Sequence, residues 1–513
     1  MRWRIGLGFV LAACAAALIA YAGGDDGESS AAVDKGKPPV VLLMLDEFPA
    51  DLLLGRDGRI DRGRYPALAE LADAAYWFPN ATTTFDSTTK AIPQIMDGRL
   101  PRKGGQPTFR SHRQTIYDLF ARRGYEIERM EAATSLCPPR HCPGAKARRP
   151  AILPQLQSGR RERLNRFFAS IGPRDEPTFW LGHILLPHGP YLYLPSGKQM
   201  RASWQDLVPG TNGPPSFHSD YLALHAQQRL QLQIGFVDRE LGRLFARMRR
   251  EGTFDKSLIV VTADHGISSE HGVDSRRNTT LGNIDELAPV PLFVKAPRQR
   301  RGKTLRSWVR TTDVTPTIAD VLNMKIDWRV DGRSAFSRAV RRRRGALVIK
   351  RDFSRKLYVG AKQLNRRRAA LLRTRLRRFG SGSWDSLYTG IGPHRSLIGK
   401  VADGLAGTAK GPHARLAGRG AFRSVGRSRV VPTQVAGTIA SGPGKQTRAI
   451  AIAVNGTIEA VAETFHLRLD SLQSTRHGES FSAMVPESSL RPGRNRIEIY
   501  EIRGSKLRLL GSG

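Results

Sequence analysis

Short, unbroken apolar runs, each closed abruptly by polar residues, punctuate the first two thirds of the chain. Val40 to Leu45 follows Pro38-Pro39 and ends in Asp46-Glu47-Phe48, and Thr178 to Leu186 leads to His188-Gly189-Pro190. Ile259-Val-Val-Thr-Ala263 ends in Asp264-His265-Gly266, and Pro291 to Val294 is a further run. Runs of this length, rich in β-branched residues and lacking alternation, predict strands buried on both faces. Between the second and third, Leu230, Ile234, Val237, Leu241, Leu244 and Met248 recur at steps of four and three, one apolar helix face. A short helix over Pro66 to Ala75 carries proline in its first turn, and Tyr76-Trp-Phe78 opens another strand. Strand, helix and strand in succession predict right-handed crossovers, and so an α/β fold with a doubly wound, mostly parallel sheet.

The pattern changes after residue 336. Arg341 to Arg344 and Asn365 to Arg378 are dense in arginine, with Leu364, Leu371, Leu372 and Leu376 supplying part of a helix face. Residues 404 to 428, rich in glycine and arginine, read as a flexible connection. Alternation over Ala449 to Val454, the hairpin signal Asn455-Gly456 and a strand at Arg496 to Tyr500 predict a small C-terminal β-sandwich. The expected organisation is an export signal or anchor over 1–22, a linker over 23–37, a catalytic domain over 38–336, a basic helical and flexible segment over 337–428, and the sandwich over 429–513.

Charge narrows the setting. The 513 residues hold 82 Lys and Arg against 45 Asp and Glu, a formal net charge of +37. Such an excess suits a polyanion. Nucleic acid is set aside because the basic segment lacks the interleaved aromatics that stack on bases. Met1-Arg-Trp-Arg4 followed by the apolar run Ile5 to Ala22 reads as export, ending in cleavage after Ala22, in lipid attachment at Cys14 or in a retained anchor. An extracytoplasmic, secreted or membrane-anchored protein follows. Its basic helix would face an anionic membrane surface or envelope polymer, and no nucleic acid is expected as a partner. Cys137 and Cys142 are spaced to close a small disulfide loop outside the cell. The arginines between Arg148 and Arg166 read as a solvated face, and His183, inside a strand run, as a core histidine.

Two acidic strand ends far apart in sequence point to a metal site at the carboxyl edge of the sheet, where open α/β sheets bind ligands. Between them, Asp86-Ser87-Thr88-Thr89-Lys90 opens a helix with hydroxyl groups, chemistry that suits an oxyanion at a helix N-terminus. A hydroxyl there becomes a nucleophile if a metal lowers its pKa.

In their order, Asp46, the Thr88 loop, His183-Ile-Leu-Leu-Pro-His188-Gly-Pro-Tyr191, Asp264-His265-Gly266 and Thr312-Asp313-Val-Thr-Pro316-Thr317 resemble the active-site motifs of the alkaline phosphatase superfamily, in its sulfatase branch. The resemblance implies Asp46, Asp264 and His265 as metal ligands, with Glu47 at a position where many sulfatases carry a further aspartate. It implies Thr88 as the covalent nucleophile, favoured over its neighbours by the offset to Gly98. His188 or Lys90 would assist the leaving group, while His271, Arg276 and Arg277 lie in a loop positioned to meet an anionic substrate. Sulfatases proper modify a cysteine or serine in a Cys/Ser-x-Pro-x-Arg motif. Thr88-Thr89-Lys90-Ala91-Ile92 departs from it and is similar instead to the phosphothreonine-forming phosphoglycerol and phosphoethanolamine transferases. The implied activity is cleavage or transfer of a phosphoryl ester. A sulfuric ester hydrolase without formylglycine and a non-catalytic envelope-binding protein are the alternatives. Mixed nitrogen and oxygen ligands favour zinc or manganese over magnesium or calcium.

Overall fold

The computed structural model describes residues 36–201, 217, 219–272, 275–407, 411–440, 447–466 and 479–512. The expected export segment over 1–22 lies outside them. No helix among the described residues is long and apolar enough to cross a membrane. The chain divides into Met1–Pro38 and a compact body, Pro39–Gly513.

At the centre of the body lies a seven-stranded sheet. In chain order the strands are β1 (Val40–Asp46), β2 (Tyr76–Trp77), β3 (Glu126–Met130), β4 (Thr178–Pro187), β5 (Gln199–Met200), β6 (Leu258–Ala263), β7 (Leu292–Lys295) and β8 (Lys303–Thr304). Of these, β5 stands outside the sheet, whose spatial order is β3-β4-β1-β6-β7-β2-β8. Strands β3, β4, β1 and β6 are mutually parallel, β7 runs antiparallel to β6, and β2 antiparallel to β7. Every residue of β1, β4 and β6 is buried, as the unbroken apolar runs require. The register pairs Val40 with Leu258 and Leu45 with Ala263. Asp46, the last residue of β1, and Asp264, the first beyond β6, therefore both follow the Leu45–Ala263 pair at the ends of adjacent strands.

Five helices matter for the site: α1 (Pro66–Ala74), α2 (Thr88–Asp97), α3 (Arg160–Ser170), α4 (Asp220–Arg250) and α5 (Ala361–Phe379). The 4-3 face of α4 is buried from Leu230 to Met248. On the same helix, Asp238 accepts hydrogen bonds from the backbone N–H of Ala67 and Leu68 at 3.1 and 2.8 Å, satisfying the exposed donors at the start of α1.

Two expectations from charge are corrected. Arg160 and Arg161 on α3 are buried, whereas the segment had read as a solvated face. Arg160 donates to the carbonyls of His188 at 2.7 Å and of Leu185 at 3.4 Å, so backbone oxygens at the end of β4 satisfy its charge. The basic helix α5 likewise turns part of its charge inward. Arg368 is bound to Asp51, to Asn80 Oδ1 at 3.0 Å and to Pro79 O at 2.8 Å, and Arg367 pairs with Asp285. Arg366, Arg373 and Arg377 remain exposed.

The C-terminal portion forms two four-stranded antiparallel sheets. Asn455 and Gly456 join Ala449–Val454 to Thr457–Glu463 with φ of 53° and 92°, the left-handed pair that a two-residue hairpin requires. Ala414–Leu416, within the stretch expected to be flexible, pairs with Gln434–Ile439 and is an edge strand of one sheet. This half is fastened to α4: Tyr221 donates to Ser482 O at 2.6 Å and His225 Nε2 lies 3.0 Å from Ser482 Oγ.

Candidate active site

The matched strand ends build the centre of the site. Asp264 Oδ1 accepts from the backbone N–H of His265 at 2.7 Å and of Glu47 at 3.1 Å, so the two strand tips are laced together and Oδ2 remains. His265 Nδ1 lies 2.8 Å from Gly266 O and donates to it. That bond places the ring's lone pair on Nε2, 3.4 Å from both Asp264 Oδ2 and Thr88 Oγ1. Gly266 is required by close approach, because a Cβ there would lie 2.3 Å from Glu286 O.

Asp46, Asp264 and His265 each present a ligand atom within 4.8 Å of the others, all buried. Asp46 Oδ1 and Asp264 Oδ2 have no hydrogen-bond donor. Buried lone pairs facing one another without protons between them are unfavourable unless a cation joins them. These residues therefore fit a divalent metal ion. Burial, then repulsion from Asp46, raises the Asp264 carboxyl to about 6. Burial also works against the charged form of Asp46, yet His188, His183 and His265 outweigh it and hold its carboxyl well below the usual range.

Thr88 is the first residue of α2, after the N-cap Ser87, so its hydroxyl stands at the positive end of the helix. The helix ends at Gly98, whose φ of 70° gives the left-handed C-terminal turn. His188 stands at the end of β4, with Nε2 3.5 Å from Glu47 Oε1 and Nδ1 donating to Gly189 O at 2.5 Å. Burial, the largest influence, lowers its pKa against the attraction of Glu47 and Asp46.

Asp46, Thr88, His188, Arg276 and Arg277 line one cavity of about 1530 Å³, together with Arg148, Arg149, Tyr191 and Arg229. Five guanidinium groups around one cavity make it a receptor for anions.

Other expected residues stand elsewhere. Lys90 is not on the cavity wall; two residues beyond Thr88 on a helix is a turn of about 200°, and its ammonium donates to Gly104 O and Gly105 O instead. His271 is exposed beside Asp220, 3.1 Å away, and does not line the cavity. Cys137 and Cys142 form a disulfide.

Sequence reasoning missed several supports. His183 approaches Asp46 Oδ2 at 3.5 Å through Nε2, and neither ring nitrogen makes a hydrogen bond. A polar ring inside an otherwise apolar strand was the one available signal. Asp86 accepts from Thr279 N at 2.7 Å and from Arg351 Nε at 3.1 Å, while Arg351 Nη2 also donates to Arg277 O at 2.5 Å. Arg351 thus ties the Thr88 loop to the Arg276-Arg277 loop, and nothing in their spacing announces it.

A family profile described as Sulfatase matches residues 146–324. Residues 146–324 are thus similar to a sulfatase domain. The matched stretch holds His188, Asp264, His265, Arg276 and Arg277; Asp46 and Thr88 precede it. The curated proteins to which the chain is similar include the multifunctional alkaline phosphatase superfamily protein PehA of Trinickia caryophylli, 34% identical over 100 residues, 19% of each chain. The chain is 25% identical to an ulvan-active sulfatase of Formosa agariphila over 178 residues, 33% of each chain. It is 29% identical to lipoteichoic acid synthase 2 of Bacillus subtilis over 110 residues, 20% of this chain and 17% of that one. The alignments thus span a third or less of these relatives. Among solved structures, phosphonate monoester hydrolase from Silicibacter pomeroyi is similar with a TM-score of 0.46 and 18% identity, covering 66% of this chain and 95% of that one.

Proposed function

We propose that this protein is an extracytoplasmic, metal-dependent enzyme that cleaves or transfers a phosphoryl ester through a covalent bond to Thr88. The observation that carries the reading is the placement of the Thr88 hydroxyl at a helix N-terminus, 3.4 Å from His265 Nε2, which in turn lies 3.4 Å from an Asp264 oxygen that lacks a donor. Asp46, Asp264 and His265 would hold the ion, zinc or manganese by ligand type, with Thr88 completing the set. When bound, the ion lowers the pKa of a neighbouring hydroxyl and neutralises charge on substrate oxygens. Thr88 Oγ1 gives up its proton and attacks phosphorus, and the ester oxygen leaves opposite it. The Thr88 proton passes to solvent, and His188, whose pKa burial lowers, takes a proton from solvent at Nε2 and delivers it to the departing oxygen. Arg276 and Arg277 balance the charge of the non-bridging oxygens. Water or an acceptor alcohol then breaks the Thr88–phosphorus bond.

The threonine supports phosphoryl chemistry, since it cannot supply formylglycine. The sulfatase profile and the ulvan-active relative support a second reading, a sulfuric ester hydrolase acting without that group. The N-terminal apolar run and the Cys137–Cys142 disulfide support the location, and the exposed arginines of α5 support contact with an anionic membrane or envelope polymer.

The test compares metal-loaded protein with Thr88→Ala on chromogenic phosphodiester, phosphomonoester and sulfate ester substrates, with mass spectrometry for phosphothreonine. Phosphodiester turnover should fall more than about 1,000-fold, with loss of the adduct. Preference for the sulfate ester would transfer the assignment to the second reading, and full activity in the variant would remove Thr88 from the mechanism.

A further inference from the structure

Glu47 follows a metal-site aspartate in sequence, and its own position in space is different. Its φ of 59° places it in the left-handed region, unusual for a residue with a long side chain, at the point where β1 ends. The turn gives the consecutive carboxylates different partners, while an oxygen of each still lies within 4.8 Å of the other. Asp46 faces Asp264, His265 and His183, whereas Glu47 Oε2 accepts from Arg276 Nη1 and Glu47 Oε1, which has no hydrogen-bond donor, lies at ion-pair distance, 3.4 Å, from Arg277 Nε. Both Glu47 and Arg276 are buried. Their loop is held from the other side by Asp86 on Thr279 N and by Arg351 on Arg277 O. Two carboxylates from the ends of β1 and of the Thr88 loop thus clamp one arginine-bearing loop over the cavity.

Asp46, Glu47 and His188 also converge closely enough to hold an ion. A cation there would stand beside two guanidinium groups already at ion-pair distance from the same carboxylate, and like charges at that range repel strongly in a buried site. The positive charge of that half of the pocket is already supplied by arginine.

We propose that Glu47 is a positioning residue: it fixes Arg276 and Arg277 as the receptor for the substrate's oxyanion and does not ligate the metal. The proposal rests on the oxyanion reading given under Proposed function. Its consequence is a division of labour between adjacent residues, Asp46 for the ion and Glu47 for the anion receptor. Arginine set by a buried carboxylate presents a fixed fork and loses little freedom when an anion arrives.

The experiment uses the full, metal-loaded chain, with inorganic phosphate as probe and no turnover required, so a failure of the Thr88 chemistry leaves it readable. Bound metal per chain and the phosphate Kd are measured for wild type, Glu47→Gln, Arg276→Ala and the double variant. Expected results are unchanged metal content in all four, a phosphate Kd raised tenfold or more by Glu47→Gln, and a less than additive loss when that change is added to Arg276→Ala, the remainder coming through Arg277. On any ester that the enzyme turns over, KM should rise more than kcat falls. Loss of metal in Glu47→Gln would make Glu47 a ligand and overturn the proposal; unchanged phosphate affinity, or additive losses in the double variant, would overturn it equally. If Glu47→Gln does not fold, Arg276→Lys, which keeps the charge and removes the fork, takes its place: weaker phosphate binding with metal retained supports the proposal, and unchanged phosphate binding overturns it.

Discussion

Two buried polar clusters sit at opposite ends of the same logic. Around His225, where α4 meets the C-terminal sheet, Nδ1 lies 3.2 Å from Gln228 Oε1 and Nε2 3.0 Å from Ser482 Oγ, so both ring nitrogens are engaged. Around Asp264, at the carboxyl edge of the central sheet, Asp46 Oδ1 and Asp264 Oδ2 have no donor and the Nε2 lone pair of His265 faces them. Both clusters are buried and both contain histidine, so burial and residue type do not separate them. The balance of donors and acceptors does. A cluster that closes on itself joins two parts of a fold, while one with a surplus of lone pairs calls for a cation from outside.

Breaking the open cluster should change binding more than folding. In Asp264→Asn, bound metal should fall below one tenth of the wild-type level, and ester turnover should drop by about 100-fold or more. The metal-free melting temperature should not fall, because a neutral amide replaces a buried carboxylate that lacks a full set of partners. With ion at about 100 times Kd, wild type should gain about 2.7 kcal/mol and the variant nothing, as read from melting curves with and without metal.

A buried ion pair outside the site should show the reverse. Arg368→Ala leaves Asp51 without its partner and should cost roughly 3–5 kcal/mol in denaturant unfolding, with metal per folded chain unchanged. Arg373→Ala, on the exposed side of the same helix, should cost less than about 0.5 kcal/mol.

The closed cluster is sensitive to acid. Burial first, then the nearby Arg229, depresses the His225 pKa to about 3. The unfolded state, with an ordinary value near 6.5, binds more protons between these limits. The stability that neutral His225 contributes is complete above about pH 6.5 and is lost as pH falls toward 3, roughly 2 kcal/mol by pH 5. His225→Asn should flatten that part of the profile at a cost of about 1–2 kcal/mol at pH 7.5, with turnover per folded chain unchanged. Unfolding curves at pH 7.5 and 5.0 for both proteins provide the check.

The strands carrying the ligands were legible because their chemistry changes within one residue: six apolar side chains and then Asp46, or Ile259 to Ala263 and then Asp264. The Asn455-Gly456 hairpin was equally plain, since two positive φ angles demand those residues. Arginine was the opposite case. Arg160, Arg351, Arg368 and Arg276 carry the same letter as the many solvated arginines of this chain, and their partners are remote: Asp86 lies 265 positions from Arg351, and Asp51 317 from Arg368. Lys90 and His271 looked as well placed as Thr88 and Arg276 in one dimension, yet a helix turn carries the lysine away and the outer loop leaves the histidine beside Asp220.

By itself the sequence determined the buried strands, the crossover helix, the hydroxyl at a helix start and the acidic strand ends, because each depends on residues within a few positions of one another. Only the tertiary structure decided that Asp46 and Asp264 meet through the β1–β6 register, that Glu47 turns from the ion toward Arg276, and which arginines face inward. The physical reason is that the energy of a charge depends on its distance from an opposite charge and from water, and neither distance is set by separation along the chain.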